Sequence, residues 1–219
     1  MLKIISSSDG SSTIYVTELD EHYHSTYGAV MESRHVFIEA GYKSSDADPV
    51  RIFEMGFGTG LNALLTLHES MKDKRKVEYV SVEKYPLDKQ IYDRLNYKTL
   101  FPGRPGSCFD LLHESEWGVP CRINDNFSLL KIREDFREMA ADRLFDVIYY
   151  DAFSPDRQAE MWSLDIMSKV AAMTAPGGIF VTYSARGQLK RDLEKLGFMV
   201  EHPVGPRGKR QITRALKKN

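Results

Sequence analysis

Four acidic positions and one glycine-rich loop carry the chemistry legible in this 219-residue sequence. Glu54-Met-Gly56-Phe-Gly58-Thr59-Gly60-Leu-Asn62 follows an apolar run and precedes a helical pattern. Glycines there permit a tight turn and close approach of a ligand to the backbone, and the start of the next helix offers N–H groups to an anion. That anion would be the pyrophosphate of a dinucleotide or the methionine carboxylate of S-adenosyl-L-methionine; plain packing of a strand–helix turn is the alternative. Glu83 closes the next strand pattern, where a carboxylate accepts hydrogen bonds from the ribose hydroxyls of either ligand. Two positions favour S-adenosyl-L-methionine. Glu54, directly before the loop, suits a cationic amino-acid group and would repel a phosphate, and Asp135, after the third main strand, stands where an adenine amino group is bonded. Asp135 also reads as a helix N-terminal residue in Glu134-Asp135-Phe136.

The fourth position is Asp151, in Tyr149-Tyr150-Asp151-Ala152-Phe153-Ser154-Pro155 at the end of the fourth main strand. Ligands of open α/β sheets bind beyond the carboxyl ends of the strands, so Asp151, Phe153 and Pro155 are expected near the sulfonium. A strand-end aspartate with a turn proline is the plain alternative.

The elements that must position these residues follow from periodicity. From Pro49 onward strands and helices alternate: strand patterns over Val50–Met55, Val77–Val82, Phe127–Ile132, Phe145–Tyr150 and 179–183, helices expected after each. Residues 198–200 and 212–216 are joined by a Pro- and Gly-shaped loop with no room for a helix, which implies an antiparallel hairpin. The expected fold is therefore α/β and Rossmann-like, a mostly parallel sheet finished by a C-terminal antiparallel hairpin. Residues 1–48, polar and Ser-rich with a short strand over 14–16 and a helix over 32–40, are expected to pack as an N-terminal extension on the domain 49–219. Residues 101–126, rich in Pro and Gly, read as an insertion within it.

Composition excludes several classes. No stretch approaches a membrane span or a secretory signal, so a cytoplasmic protein with no membrane partner is expected. Cys108 and Cys121 do not make a disulfide scaffold, and the six histidines show only a weak His22-x-His24 spacing, so no metal is expected. The formal net charge of −1 conceals an asymmetry. Residues 186–219 hold ten Lys and Arg against three acidic residues, a local balance of +7 that leaves −8 on the rest. A polyanion responds to the local charge.

The loop Asp151–Pro155 resembles the Asp/Asn-Pro-Pro-aromatic loop of amino methyltransferases. The longer run from Asp151 to Trp162, Asp-Ala-Phe-Ser-Pro-Asp-Arg-Gln-Ala-Glu-Met-Trp, resembles an Asp-Gly-Phe-Ala-Pro…Asn-Pro-Asp-Met-Trp signature. Its owner is the methyltransferase domain of the bacterial bifunctional tRNA 5-methylaminomethyl-2-thiouridine biosynthesis proteins. Further matches occur in order: Glu32-Ser-Arg34-His-Val36-Phe37, the glycine loop, Ser81-Val-Glu83-Lys-Tyr-Pro86-Leu87, Ala175-Pro-Gly-Gly178 and Gly205-Pro-Arg207-Gly-Lys209-Arg210. Ala152 replaces the signature glycine, and Ala159 stands where its second proline would be.

This resemblance implies a class I S-adenosyl-L-methionine-dependent methyltransferase that methylates the primary amine of 5-aminomethyl-(2-thio)uridine at the tRNA wobble position. The expected cofactor set is S-adenosyl-L-methionine at Glu54, Gly56, Gly58, Thr59, Gly60, Asn62, Glu83 and Asp135, with no metal. Because the sequence ends at Asn219, the stand-alone form is expected, without FAD and with the oxidase step left to a separate partner. Asp151 is the expected catalytic residue, binding the ammonium and helping to accept its proton. A wobble base displaced from its stack needs planar neighbours, for which Phe153 leads, with Tyr27 and Trp162 alternatively core residues. Arg34 is expected to face the substrate or Asp151, or else to form a structural ion pair. Arg207, Lys209 and Arg210 are expected to meet phosphates of the anticodon region. Two alternatives stand beside this one: an N-methyltransferase for a small amine or a protein, and a catalytically silent tRNA- or cofactor-binding module.

Overall fold

The computed structural model describes residues 1–218. Three short strands open the chain: β1 (Leu2–Ser6), β2 (Ser12–Val16) and β3 (Glu21–His22), paired antiparallel in a small sheet of their own. Helix α1 (Ala29–Ser33) runs on as a π-helical turn over Arg34–Glu39. The main unit follows: β4 (Val50–Met55), α2 (Leu61–Asp73), β5 (Val77–Val82), the short helices α3 (Lys89–Tyr92) and α4 (Tyr97–Leu100), α5 (Arg104–Glu114), β6 (Cys121–Arg122), β7 (Phe127–Ile132) and β8 (Phe145–Tyr150). It closes with α6 (Leu164–Met173), β9 (Thr174–Thr182), α7 (Gly187–Lys195), β10 (Phe198–Glu201) and β11 (Thr213–Lys217).

The eight-stranded sheet has the order β10-β11-β9-β8-β4-β5-β7-β6. The centre is parallel; β11 runs antiparallel to β9 and β10, and β6 antiparallel to β7. Because side chains alternate along a strand, each central strand feeds two cores. Ile52, Val147, Tyr149 and Val181 pack with Phe37, Leu61, Leu64 and Leu65 on one face. Phe53, Ile148, Tyr150 and Phe180 pack with Phe136, Met167 and Leu193 on the other. Burial on both faces explains why these strands are predominantly apolar. The strand order reverses between β4 and β8, so their carboxyl ends, Met55 and Tyr150, border the crevice of an open α/β sheet.

Three sequence expectations change. No helix follows β7: the Asp135 carboxylate accepts from the backbone N–H of Arg137 (3.0 Å) and from its guanidinium, and this side-chain turn ends regular structure through residue 144. Asp135 is therefore not at a helix N-terminus. The single helix expected after Pro86 is instead two short ones, α3 and α4. The N-terminal segment holds three strands rather than one, tied down by the Asp9 carboxylate, which accepts from Ser7, Ser11 and the Met31 N–H (3.0 Å). Residues 101–126 contain α5 and β6, and Phe109 and Leu112 of α5 are buried in the core beside α2. Among the described residues no helix is long and apolar enough to cross a membrane.

Candidate active site

A cleft of about 460 Å³ opens over the carboxyl ends of β4, β5, β7 and β8, within the size range of small-molecule sites. The glycine loop forms its floor. Gly58 and Gly60 have φ of 49° and 71°, the left-handed region that penalises a side chain, and a Cβ on Gly60 would stand 2.9 Å from Nε2 of His113. The loop needs glycine for both conformation and space. Its Thr59 hydroxyl lies 2.8 Å from Nε2 of His24, a buried residue whose pKa burial lowers to about 4, so the ring is neutral at physiological pH.

Glu83 ends β5 with its carboxylate in the cleft. It accepts from the N–H of Gly58 (3.1 Å) and of Tyr85 (2.9 Å), and burial raises its pKa against those bonds. Asp135 lines the same end of the cleft and is held by Arg137 and by Lys84 (2.8 Å), whose hydrogen bonds keep it well below the usual carboxylate range. Glu54 behaves differently. Its side chain is wholly buried beneath the loop, accepts from the Ser81 hydroxyl (2.7 Å), and is pushed up to about 8 by burial, with the Asp151 charge adding to it. It supports the floor without lining the cleft.

Asp151 follows β8, where its N–H donates to the carbonyl of Met55 (3.1 Å), fixing the aspartate to the adjacent β4. Its Oδ2 accepts from Nδ2 of the buried Asn62 (2.8 Å). Burial pushes the carboxyl up to about 7; the Asn62 bond opposes this, the Glu32 charge adds to it and the Lys209 charge opposes it. A carboxylate so poised near neutrality, partly open to a cleft, is suited to exchanging a proton at physiological pH.

Above Asp151 stand three aromatic rings. Phe153 meets Tyr23 edge to face (5.2 Å between centroids), and Tyr183 donates to the carbonyl of Ala152 (2.8 Å). Tyr27 is half exposed at the rim, its ring against Gly208. Trp162 donates to the carbonyl of Phe153 (2.8 Å) and packs against Tyr150, so it supports the loop from behind.

The remaining expected substrate residues separate. Arg34 turns away from the cleft to pair with Glu69 (2.8 Å), which corrects the expectation that it faces the substrate or Asp151. Pro155 lines a neighbouring groove of about 410 Å³ with Arg186, Arg210 and Gln211 rather than the cleft beside Asp151, because the chain turns outward after Phe153. Arg207 and Arg210 are exposed, whereas Lys209 points into the cleft and pairs with Glu32 (2.5 Å). Glu32, Tyr23, His24 and Tyr183 line the cleft and carried no assigned role in the sequence reading. The signals for them were present: Glu32 opens a quoted motif, and His22-Tyr23-His24 is an aromatic run in a polar segment. Among the described residues no group of three or more His, Cys, Asp or Glu could hold a metal ion.

Carboxylates and loop N–H groups thus share one cleft: Glu83, Asp135 and Asp151 line it beside Gly56, Gly58 and Thr59, and N–H groups at a helix start suit an anion. Residues 122–218 match a family described as S-adenosyl-L-methionine-dependent methyltransferase. The chain is 30% identical over 217 residues to the tRNA 5-methylaminomethyl-2-thiouridine biosynthesis bifunctional protein MnmC of Cupriavidus necator, covering 91% of this chain and 32% of that protein. It is 31% identical over 206 residues to the protein of the same name from Burkholderia multivorans, covering 87% and 31%. The chain thus spans about a third of the length of these curated relatives. Among solved structures, MNMC2 from Aquifex aeolicus superposes with a TM-score of 0.81 at 27% identity, over 100% of this chain and 70% of that one. Spermidine synthase from Thermotoga maritima (TM-score 0.56, 14% identity, 98% and 72% covered) shares the fold.

Proposed function

We propose, from its match to the S-adenosyl-L-methionine-dependent methyltransferase family, that this chain methylates the primary amine of 5-aminomethyl-(2-thio)uridine at the wobble position of tRNA. The observation that carries this proposal is Asp151: a carboxylate with a pKa near neutrality, anchored by Asn62 and flanked by Phe153 and Tyr183, at the carboxyl end of β8. Bound S-adenosyl-L-methionine supplies an electrophilic methyl group on a sulfonium. We assign Gly56, Gly58, Thr59 and Gly60 to its amino-acid end, Glu83 to its ribose and Asp135 to its adenine, with Glu54 buried beneath the loop and Asn62 on the cleft lining beside Asp151.

An alkylammonium has no lone pair, so the acceptor must lose a proton before it attacks. The Asp151 carboxylate binds the ammonium and takes that proton on the oxygen not held by Asn62, leaving a neutral amine, the form that would accept a methyl group from a bound sulfonium. Asn62 fixes the carboxylate and with it the amine bound there; positioning of this kind supplies much of the rate enhancement in a displacement. Phe153, with Tyr23 behind it, offers a planar face to a base taken out of the anticodon stack. Exposed Arg207 and Arg210, on the +7 segment, hold the RNA by its phosphates. The tRNA acceptor is also what the names of the Cupriavidus necator and Burkholderia multivorans relatives suggest.

The test is substrate class. With labelled S-adenosyl-L-methionine, tRNA carrying the aminomethyl group is expected to take up label, while free alkylamines and proteins are not. Label on amines or proteins but not on tRNA would replace this reading with the small-amine or protein alternative. Cofactor binding without any transfer would make the chain a silent binding module.

A further inference from the structure

The interior of the cleft already holds a primary ammonium: the chain's own Lys209. Its Nζ lies 2.5 Å from Oε1 of Glu32 and 3.9 Å from the centroid of the Tyr183 ring. Neither partner is an incidental surface group. Glu32 is buried, and its other oxygen accepts from the N–H of Ser25 (2.7 Å), which fixes the carboxylate. Tyr183 is fixed by its bond to the carbonyl of Ala152, the residue after Asp151. A buried carboxylate and an aromatic face converging on one point form a cage for a small cation. Lys209 fills that cage from outside the fold, on a turn closed by bonds from the Lys209 N–H to the carbonyl of Pro206 (2.9 Å) and from the Gly205 N–H to that of Arg210 (3.0 Å). Gly208, at φ 90°, lets this turn lie against the Tyr27 ring at the rim.

We propose that Glu32 and Tyr183 form the subsite that first receives the acceptor's ammonium group before it passes to Asp151, and that Lys209 is a resident stand-in for that cation, displaced when substrate enters. This rests on the amine acceptor named above and adds two specificity residues to it. The chemistry matches closely, since a lysine side chain and an aminomethyl group both end in a primary alkylammonium on a methylene. The cage lies in the same cleft as Asp151, so an ammonium that replaces Lys209 is delivered to the group that takes its proton. It also gives the neighbouring arginines a second effect. Arg207 and Arg210 flank Lys209 on the same turn and are exposed, so phosphates drawn to them sit where a withdrawn lysine would find a new anionic partner. An acceptor carrying phosphates would open the subsite that its amine then fills, whereas a free nucleoside must compete with Lys209 unaided.

The experiment measures equilibrium binding of two free nucleosides, 5-aminomethyluridine and uridine, to the full chain saturated with S-adenosyl-L-homocysteine. Lys209→Met keeps the apolar stem and removes the competing charge; it is expected to bind 5-aminomethyluridine about tenfold more tightly than the unaltered chain. Glu32→Gln is expected to bind it about tenfold more weakly, and uridine binding should stay the same in all three proteins. If Lys209→Met leaves 5-aminomethyluridine binding unchanged or weakens it, the inference is overturned; this variant lies on an exposed turn and tests the idea even if Glu32→Gln fails to fold. Equal weakening of both nucleosides in Glu32→Gln makes Glu32 structural and also overturns it. Methyl transfer by the unaltered chain to aminomethyl-bearing tRNA is scored separately. Transfer without the graded nucleoside binding removes only the subsite; graded binding without transfer removes the functional reading and keeps the subsite.

Discussion

Replacing Asp151 by Asn should damage turnover and improve stability, and the two effects should part with pH. In the folded chain its carboxyl is raised from 3.8 to about 7, chiefly by burial. A carboxyl whose folded pKa lies above its unfolded value favours the protonated form on folding. Below about pH 4 both states are protonated and the aspartate costs nothing; between pH 4 and 7 the unfolded chain ionises first, and stability falls; above 7 the full cost is present. A gap of about three pH units corresponds to ~4 kcal/mol, and the partial opening of Asp151 to the cleft reduces this to ~2–4 kcal/mol. Asparagine keeps the acceptor for Asn62 and removes the charge. For a chain of this size the gain is a Tm higher by about 5–10 °C at pH 8, shrinking to about a quarter of that near pH 4.5. Losing the proton acceptor should lower kcat by about 10²–10⁴-fold, with affinity for S-adenosyl-L-methionine changed less than about twofold. In the unaltered enzyme the rate should rise through pH ~7 as Asp151 ionises. The assays are calorimetric melting from pH 4.5 to 8 and single-turnover methyl transfer across the same range. A variant no more stable than the parent at pH 8 would refute the electrostatic account, and one that keeps its kcat would refute the assignment.

If Glu83 holds the ribose as proposed, removing its carboxylate takes two charge-assisted acceptors from the ligand, so Glu83→Ala should bind S-adenosyl-L-methionine about 30- to 100-fold more weakly by titration calorimetry, with kcat at saturation little changed. The double variant Arg207→Ala/Arg210→Ala should reduce the slope of log affinity for tRNA against log salt by about 1.4–1.8, and an unchanged slope would place the RNA elsewhere. Gly60→Ala forces a side chain into the left-handed region and against His113, and should cost about 2–3 kcal/mol in denaturant melts; a neutral result would mean that the loop has more freedom than its geometry implies.

The parallel sheet was legible because its strands are buried on both faces, so Val50–Met55, Val77–Val82, Phe127–Ile132 and Phe145–Tyr150 stand as apolar runs with the observed boundaries. The hairpin of β10 and β11 followed from the absence of a helix-length segment between them. The N-terminal sheet was not legible in the same way: its strands are short, carry polar residues among the apolar ones, and are held by long-range bonds such as Ser12 N–H to Oδ1 of Asn96 (2.8 Å), 84 residues away. Asp135 illustrates a local competition, since its side chain bonds its own backbone and prevents the helix that Glu134-Asp135-Phe136 suggests. At the site, the glycine loop, Glu83, Asp135, Asp151 and Phe153 share one cleft, because each ends a strand or follows one. Arg34 could not be placed from sequence, since its partner Glu69 lies a helix away. Glu32 and Lys209 are 177 positions apart in sequence, and only the fold brings their charges together.

The central claim is that the methyl group reaches the exocyclic nitrogen of the wobble nucleoside. Nucleosides released from tRNA bearing 5-aminomethyluridine, after incubation with the chain and labelled S-adenosyl-L-methionine, decide it by mass spectrometry. The account predicts loss of 5-aminomethyluridine with matching appearance of labelled 5-methylaminomethyluridine, and no label in tRNA lacking the aminomethyl group. Label on any other nucleoside, or equal labelling of both tRNAs, would contradict it.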